Sequence, residues 1–345
     1  MWLPQPKQHG GSLVGNSYLS LWAKCRRKWF LEYAYPHPDG GSGLSPLVTK
    51  KPLLMGSLLH AGKQHWYESG VRDGEDTGQY SLEAALGAVE AHAAQRNQEW
   101  ATSEEQAEDV AAVKQLLVDF HRHFGPEGHT PLWPETKILC LDDGRPAVEL
   151  ELTAPLGFGD YIYTCRADAF SLYQDRYLRV EEHKTSAPSF VDRVATNLAK
   201  TSQFSGEYYM ARNSFPDAAM DAIHLHIHIK GWSTRSKFPQ PVKFATTTRT
   251  AEQLERFRLQ AVSLLREIED TMAQYEQGQA AGVDLPHLMD SLFPEIGERT
   301  GECYSYNSTC QFEGLCRMGT RAGVLGAFRP GRSRTPATDI SRDES

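Results

Sequence analysis

The stretch Tyr177-Leu-Arg-Val-Glu-Glu-His-Lys-Thr-Ser186 constrains this chain more than any other. Strand alternation puts Leu178, Val180, Glu182 and Lys184 on one face, so an apolar surface gives way to a carboxylate and an amine two residues apart. Asp160–Asp168 is strand-like upstream, and Gln174-Asp175-Arg176 supplies turn residues, which predicts a hairpin. A three-residue loop centred on Asp175 sets Asp168 opposite Glu182, whereas a two-residue loop sets it opposite Glu181. We take the first. Two carboxylates at cross-strand distance repel unless a cation lies between them, and oxygen ligands suit Mg²⁺ or Mn²⁺. Lys184 beside such an ion would orient a water or neutralise a phosphate. Alone, however, an E-x-K triplet is more often a surface salt bridge, so the assignment needs support from elsewhere in the chain.

The 345 residues, 40% of them hydrophobic, suffice for one large domain or two smaller ones. No apolar run reaches bilayer length and Met1–Gly10 lacks a signal-peptide core, so a cytoplasmic protein without a membrane partner is expected. The net charge of −8 argues against a general nucleic-acid coat; basic groups must be concentrated locally. They are concentrated in a helix predicted from the capping residues Asn16-Ser17 to Tyr33. There Leu19, Trp22, Arg26, Trp29, Phe30 and Tyr33 form a stripe, and Lys24, Arg26, Arg27 and Lys28 surround Cys25. This is either a basic, aromatic DNA contact or the solvated face of a core helix.

Residues 36–52 read as a loop, followed by a helix from about Leu54. His60 and His65 lie five apart and point in different directions on that helix, so only one faces a shared site. Residues 81–124 are helical, with a Ser103-x-x-Gln106 capping box. Strands are predicted at 136–141, 146–153, 160–170, 176–184 and 222–230, with Glu149 and Glu151 on one face of the second. Between them a helix over 190–212 carries Gln203, Glu207 and Tyr208. His224, His226 and His228 share a strand face, which could suggest a zinc site, but i, i+2 positions splay and no cysteine or carboxylate accompanies them, so a metal site is not expected there. Thr250-x-x-Gln253 caps a long final helix.

Cys303, Cys310 and Cys316 fall within fourteen residues. A four-ligand site needs one more donor, from Cys25, Cys140, Cys165 or a histidine, and Cys25 is the best candidate, because Cys140 and Cys165 sit in apolar strand-like runs. Such a site would staple the first helix to the last segment. Four thiolates suit zinc or an iron–sulfur cluster, and the wide spacings fit the larger cluster better.

The ordered set Cys25, His60, Asp168, Glu182-x-Lys184, a Gln203 helix, then Cys303, Cys310 and Cys316 resembles the PD-(D/E)XK nucleases that carry an iron–sulfur cluster, such as the CRISPR-associated spacer-acquisition exonuclease, related phage exonucleases and recombination helicase–nucleases. The resemblance runs from about 16 to 316. It implies an α/β fold: a central mixed sheet flanked by helices, a restriction-endonuclease-like core, a helical insertion, and a cysteine-ligated cluster joining the N- and C-terminal segments. The expected layout is a flexible 1–15, one nuclease domain over 16–316, and a disordered tail over 317–345. Within the domain come a helical part at about 54–125, a catalytic core at about 135–230, and a helix and cluster segment at about 250–316. The implied site is Mg²⁺ or Mn²⁺ on His60, Asp168, Glu182 and the His183 carbonyl, with Lys184 and Gln203 assisting. A [4Fe–4S] cluster would sit on Cys25, Cys303, Cys310 and Cys316, with Zn²⁺ as the alternative occupant. Lys24, Arg26, Arg27 and Lys28 would bind DNA. The implied activity is an exonuclease on single-stranded or resected DNA ends, with a helicase, recombinase or integrase as partner class. The alternative is a non-catalytic DNA-end-binding or assembly subunit. Two positions depart from the family pattern: its glycine is Cys165 here, and its Gln-x-x-x-Tyr signature has Glu207 where tyrosine is expected, with Tyr208 next.

Overall fold

The computed structural model describes residues 14–331, apart from 159–160, 199, 302, 305–308 and 320–321. In chain order these form helices α1 (Asn16–Lys24) and α2 (Arg26–Tyr33), strand β1 (Leu44–Pro46), helix α3 (Lys51–Ser69), short strands β2 (Val71–Arg72) and β3 (Glu75–Asp76), and helices α4 (Leu82–Gln95) and α5 (Ser103–Phe124). Strands β4 (Thr136–Ile138), β5 (Val148–Pro155), β6 (Ile162–Tyr173) and β7 (Tyr177–Ser186) follow, then α6 (Val191–Leu198), α7 (Ser202–Ser214), β8 (Ala219–Ile229) and β9 (Val242–Thr247). The chain continues through α8 (Ala251–Ala280), α9 (Leu285–Leu292), α10 (Gly297–Thr300), α11 (Glu313–Met318), α12 (Ala322–Leu325) and β10 (Phe328–Pro330). Among the described residues no helix is long and apolar enough to cross a membrane.

The span 16–316, read from sequence as one domain, divides into two compact units. The first holds Thr49–Ala154 and Thr164–Leu254. Its centre is a six-stranded mixed sheet in the order β4-β6-β7-β8-β9, with β5 also paired to β6. β6 and β7 are antiparallel, β7 and β8 are parallel through the α6–α7 crossover, and β9 returns antiparallel. Helices α3, α4 and α5 supply the apolar stripes of the core, through Leu58, Leu59, Trp66, Val89, Val113, Leu117 and Phe120. The helices meet at Gly62, where a Cβ would stand 2.4 Å from the Leu117 side chain; only glycine allows that approach. Two sequence expectations shift here. The cap of α5 is Thr102, accepting from the Glu105 amide, one place before the predicted Ser103 box. Strand β9, not foreseen, closes the sheet edge beyond β8. The predicted Thr250–Gln253 box is present, each side chain bonding the other's amide.

The second unit holds Leu13–Val48, Pro155–Tyr163 and the chain from Glu255 onward. The helix predicted over 16–33 breaks at Cys25, whose φ −159° and ψ 102° are extended, and α1 begins after Gly15 without a side-chain cap. The break resets the helical phase, so Arg27, not Arg26, turns inward. Its guanidinium donates to the Phe293 carbonyl at 2.8 Å, the Met289 carbonyl at 3.1 Å and Asp290 at 2.6 Å. Around it Trp22, Trp29, Phe30, Tyr275 and Phe293 pack edge-on or stacked. The segment expected as a tail from 317 carries α12 and β10, and β10 pairs antiparallel with β1; residues beyond 331 and before 14 lie outside the described part. Arg27→Ala should lower stability by about 2–3 kcal/mol, since it strips a buried cation's bonds from two carbonyls and a carboxylate. Urea denaturation measures this, and a loss below about 0.5 kcal/mol would contradict the structural role.

Candidate active site

Tyr173 and Tyr177 pair across the hairpin, leaving the three-residue loop Gln174–Arg176. Gln174 and Asp175 take left-handed backbone conformations at φ 52° and 54°, which polar residues tolerate. The register runs through Ala169↔Glu181, so the next step sets Asp168 across from Glu182, as the loop length predicts. Asp168 is 7% exposed, and its Oδ2 accepts the His183 amide at 2.6 Å. Its Oδ1 lies 3.0 Å from Nδ1 of His60, which α3 delivers, while His65 points out to solvent.

Glu149 completes this corner. Its Oε1 is 3.1 Å from His60 Nδ1 and its Oε2 is 2.9 Å from Arg166 Nε. Glu149 holds φ 49°, a left-handed conformation that a glutamate adopts at a cost, inside a strand. Ligand atoms of His60, Glu149 and Asp168 all lie within 4.8 Å of one another. Sequence reasoning had Glu149 only as one of two carboxylates on a face; what selects it is the β5–β6 pairing. A donor set of two carboxylates and an imidazole fits Mn²⁺ or Mg²⁺.

On the adjacent strand Glu182 is 2% exposed and pairs with Lys184. Gln203 Nε2 donates to Glu182 Oε1 at 2.9 Å and to Glu207 Oε1 at 2.8 Å. Burial and the Asp168 charge push Glu182 up to about 7, against the pull of Lys184. Lys184 is raised despite burial, because Glu182 and Asp168 face it, so it stays cationic. Glu207, 4% exposed, is driven well above the carboxylate range by burial and by Glu182, which leaves it a neutral acid. Burial opposes charge on His60, yet Asp168 and Glu149 raise it to about 10. Burial also works against Asp168, but His60, Lys184 and the His183 amide hold it below its usual range. Glu207 lies one helical turn after Gln203, and that spacing was the signal for it.

A sequence profile of the PD-(D/E)XK nuclease superfamily matches residues 16–317. The chain belongs to that superfamily. Among curated proteins no individual sequence matches it. PD-(D/E)XK proteins are generally nucleases, typically Mg²⁺- or Mn²⁺-dependent, and the α/β unit with its mixed sheet fits their core.

Other expected site residues fall as follows. The His183 ring turns away from Glu182, with Nε2 3.0 Å from the Tyr67 hydroxyl and Nδ1 3.2 Å from His228. In the second unit Cys25, Cys303, Cys310 and Cys316 line one small cavity of about 20 Å³ with Lys28. A Cβ on Gly297 would stand 2.7 Å from the Cys303 sulfur and 3.5 Å from that of Cys25. Of the four basic residues, Lys24 is exposed, Arg26 is half-buried against Glu267, and Arg27 is occupied by the chain itself, which removes it from the DNA-binding set.

Cation binding in the His60 corner requires deprotonated ligands, so it must displace protons. Below pH 7 both His60 and Glu182 hold one, and between 7 and 10 only His60 does. The sign is therefore weaker binding at lower pH: the Mn²⁺ Kd should rise about tenfold per pH unit between 8 and 7 and about hundredfold per unit below 7. Calorimetry from pH 6 to 8 measures it, with Asp168→Asn as the control that abolishes this component. A pH-independent Kd would refute the assignment.

Proposed function

We propose that the protein is a metal-dependent deoxyribonuclease that hydrolyses phosphodiester bonds at DNA ends. The observation that carries the reading is the convergence of His60, Glu149 and Asp168 ligand atoms beside the Glu182–Lys184 pair. His60, Asp168, Glu182 and the His183 carbonyl would hold Mg²⁺ or Mn²⁺, with Glu149 as an added ligand. The bound cation supplies a water of lowered pKa and stabilises charge on the scissile phosphate. Lys184, kept cationic by its two carboxylates, faces the same phosphate. Gln203 keeps Glu182 oriented, and the neutral Glu207 has a proton to give the departing oxygen or its water. DNA would be drawn first by exposed Lys24, with Arg26 and Lys28 near it in sequence, and binding should weaken with salt.

Action at ends, and a [4Fe–4S] cluster on Cys25, Cys303, Cys310 and Cys316, rest on the resemblance to the cluster-bearing exonucleases; the shared cysteine cavity supports the second. Zinc is the competing occupant. Partners of the helicase, recombinase or integrase class belong to the same proposal.

End-labelled linear single- and double-stranded DNA and a covalently closed circle, incubated with Mn²⁺, test the activity. Wild type should degrade the linear substrates and spare the circle, and Asp168→Asn and Lys184→Ala should each lose about a thousandfold in rate. Undiminished cleavage by both variants would sink the site; cleavage of the circle would make the enzyme an endonuclease. Binding of ends without cutting would favour the non-catalytic subunit. For the cysteines, protein purified without oxygen should be brown, with broad visible absorption lost in Cys316→Ser. A colourless protein with stoichiometric zinc would reject the cluster.

A further inference from the structure

The alternation that aims Glu182 and Lys184 at the catalytic corner aims Glu181 and His183 the opposite way. Parallel pairing sets Glu181 beside His224 and His183 beside His226. The carboxylate absent from the histidine run thus arrives from the neighbouring strand. Glu181 Oε2 lies 2.9 Å from His224 Nδ1 and 2.6 Å from His226 Nε2, and the two nitrogens are 3.2 Å apart. Glu181 and His226 are each 1% exposed, and the His224 side chain 12%.

Both rings can donate to Oε2, which has lone pairs for two hydrogen bonds, and the two ring nitrogens then converge at 3.2 Å with no bond between them. A cation among the three lone pairs would engage all three atoms at once. Ligands about 2.0–2.2 Å from an ion stand about 2.8–3.6 Å apart at octahedral to tetrahedral angles; the 2.9 and 3.2 Å edges fall in that range and the 2.6 Å edge is shorter. Part of an outer shell is in place: Ser171 Oγ donates to the other Glu181 oxygen and the His224 ring stacks on Phe244 at 5.0 Å, while the buried His226 Nδ1 has no hydrogen-bond partner among the described residues. A small cavity of about 10 Å³, bordered by these three residues with Tyr67, Tyr80 and Thr136, is about the size that one water needs. Burial lowers His226 to about 4, so its ring is neutral and ready to coordinate. Nearby Lys63, whose Nζ has no hydrogen-bond partner among the described residues, is pushed by burial toward the neutral amine, which lessens the charge it sets against an ion.

We infer that Glu181, His224 and His226 form a second metal site, on the face of β7 opposite the catalytic one, which takes Zn²⁺ or a similar transition-metal ion and braces β7 to β8. Two imidazoles and one carboxylate select such ions over Mg²⁺, whereas the carboxylate-rich His60 corner favours the harder ion. The brace sits one residue behind Glu182.

Crystals of the full chain, stripped with chelator and soaked in ZnCl₂, test this by anomalous diffraction at the zinc edge. A peak enclosed by Glu181, His224 and His226 is expected. Saturating zinc that appears only at the cysteine cavity or beside Asp168 would overturn the site. In solution, zinc at a hundredfold excess over its Kd should raise the wild-type Tm by about 5 °C. Asp168→Asn should keep most of that rise, and His226→Gln should lose it. Co²⁺ at this site should give only weak visible bands; an intense near-ultraviolet thiolate band as the sole signal would point to the cysteines instead. Should His226→Gln fail to fold, the diffraction experiment on wild type still decides.

Discussion

Asp168 and Glu182 face each other across one hairpin, both buried, with too little water to screen them. Much of the surrounding chemistry answers that constraint. Lys184 and His60 bring positive charge, the His183 amide and Gln203 bring donors, and Glu182 is pushed up to about 7. The cluster is short of cations when all its carboxylates are ionised, a state that a divalent ion relieves and that protonation of Glu207 relieves in part. Electrostatic poise for a cation is thus built into the fold before any substrate arrives.

The backbone makes the same point. Glu149 holds a left-handed conformation in a strand, where most side chains would not. Relaxing it would move the carboxylate away from His60 and Arg166. Strain of this kind persists when the surrounding structure over-determines the residue, and here a strand pairing on one side and two ion pairs on the other do so.

The hairpin was legible in the sequence because its determinants are local: a loop length, an alternation and turn residues that accept positive φ. His60 was legible in direction because helix geometry excludes His65. Glu149 and Glu207 were visible but not selected, since strand pairing and helix docking choose them. The break at Cys25 was hidden because the apolar stripe continues through it in sequence, and so was the inward turn of Arg27, which follows from that break. β9 was missed for a related reason: Val242–Thr247 is short, its alternation is weak, and pairing with β8 makes it a strand. The surroundings of the histidine run of β8 were not legible. Within the run no carboxylate is available, and only the parallel register with β7 supplies Glu181.

That register gives β7 two chemically distinct faces. One carries oxygen-rich donors with a lysine; the other sets a single carboxylate against imidazoles, in a pocket walled by Trp66, Tyr67 and Tyr80. A strand whose consecutive glutamates are both buried needs compensating charge on both sides, or the unbalanced side would pull its carboxylate toward water and rotate the other. Glu181 is held well below the carboxylate range despite burial, because His224 and His226 face it, so it remains an anion. Its neighbour Glu182 is the one whose proton is near balance. The division leaves the Glu182 face near proton balance while the rear face carries a fixed anion, so the setting of Glu182 depends on groups on the opposite side of its strand.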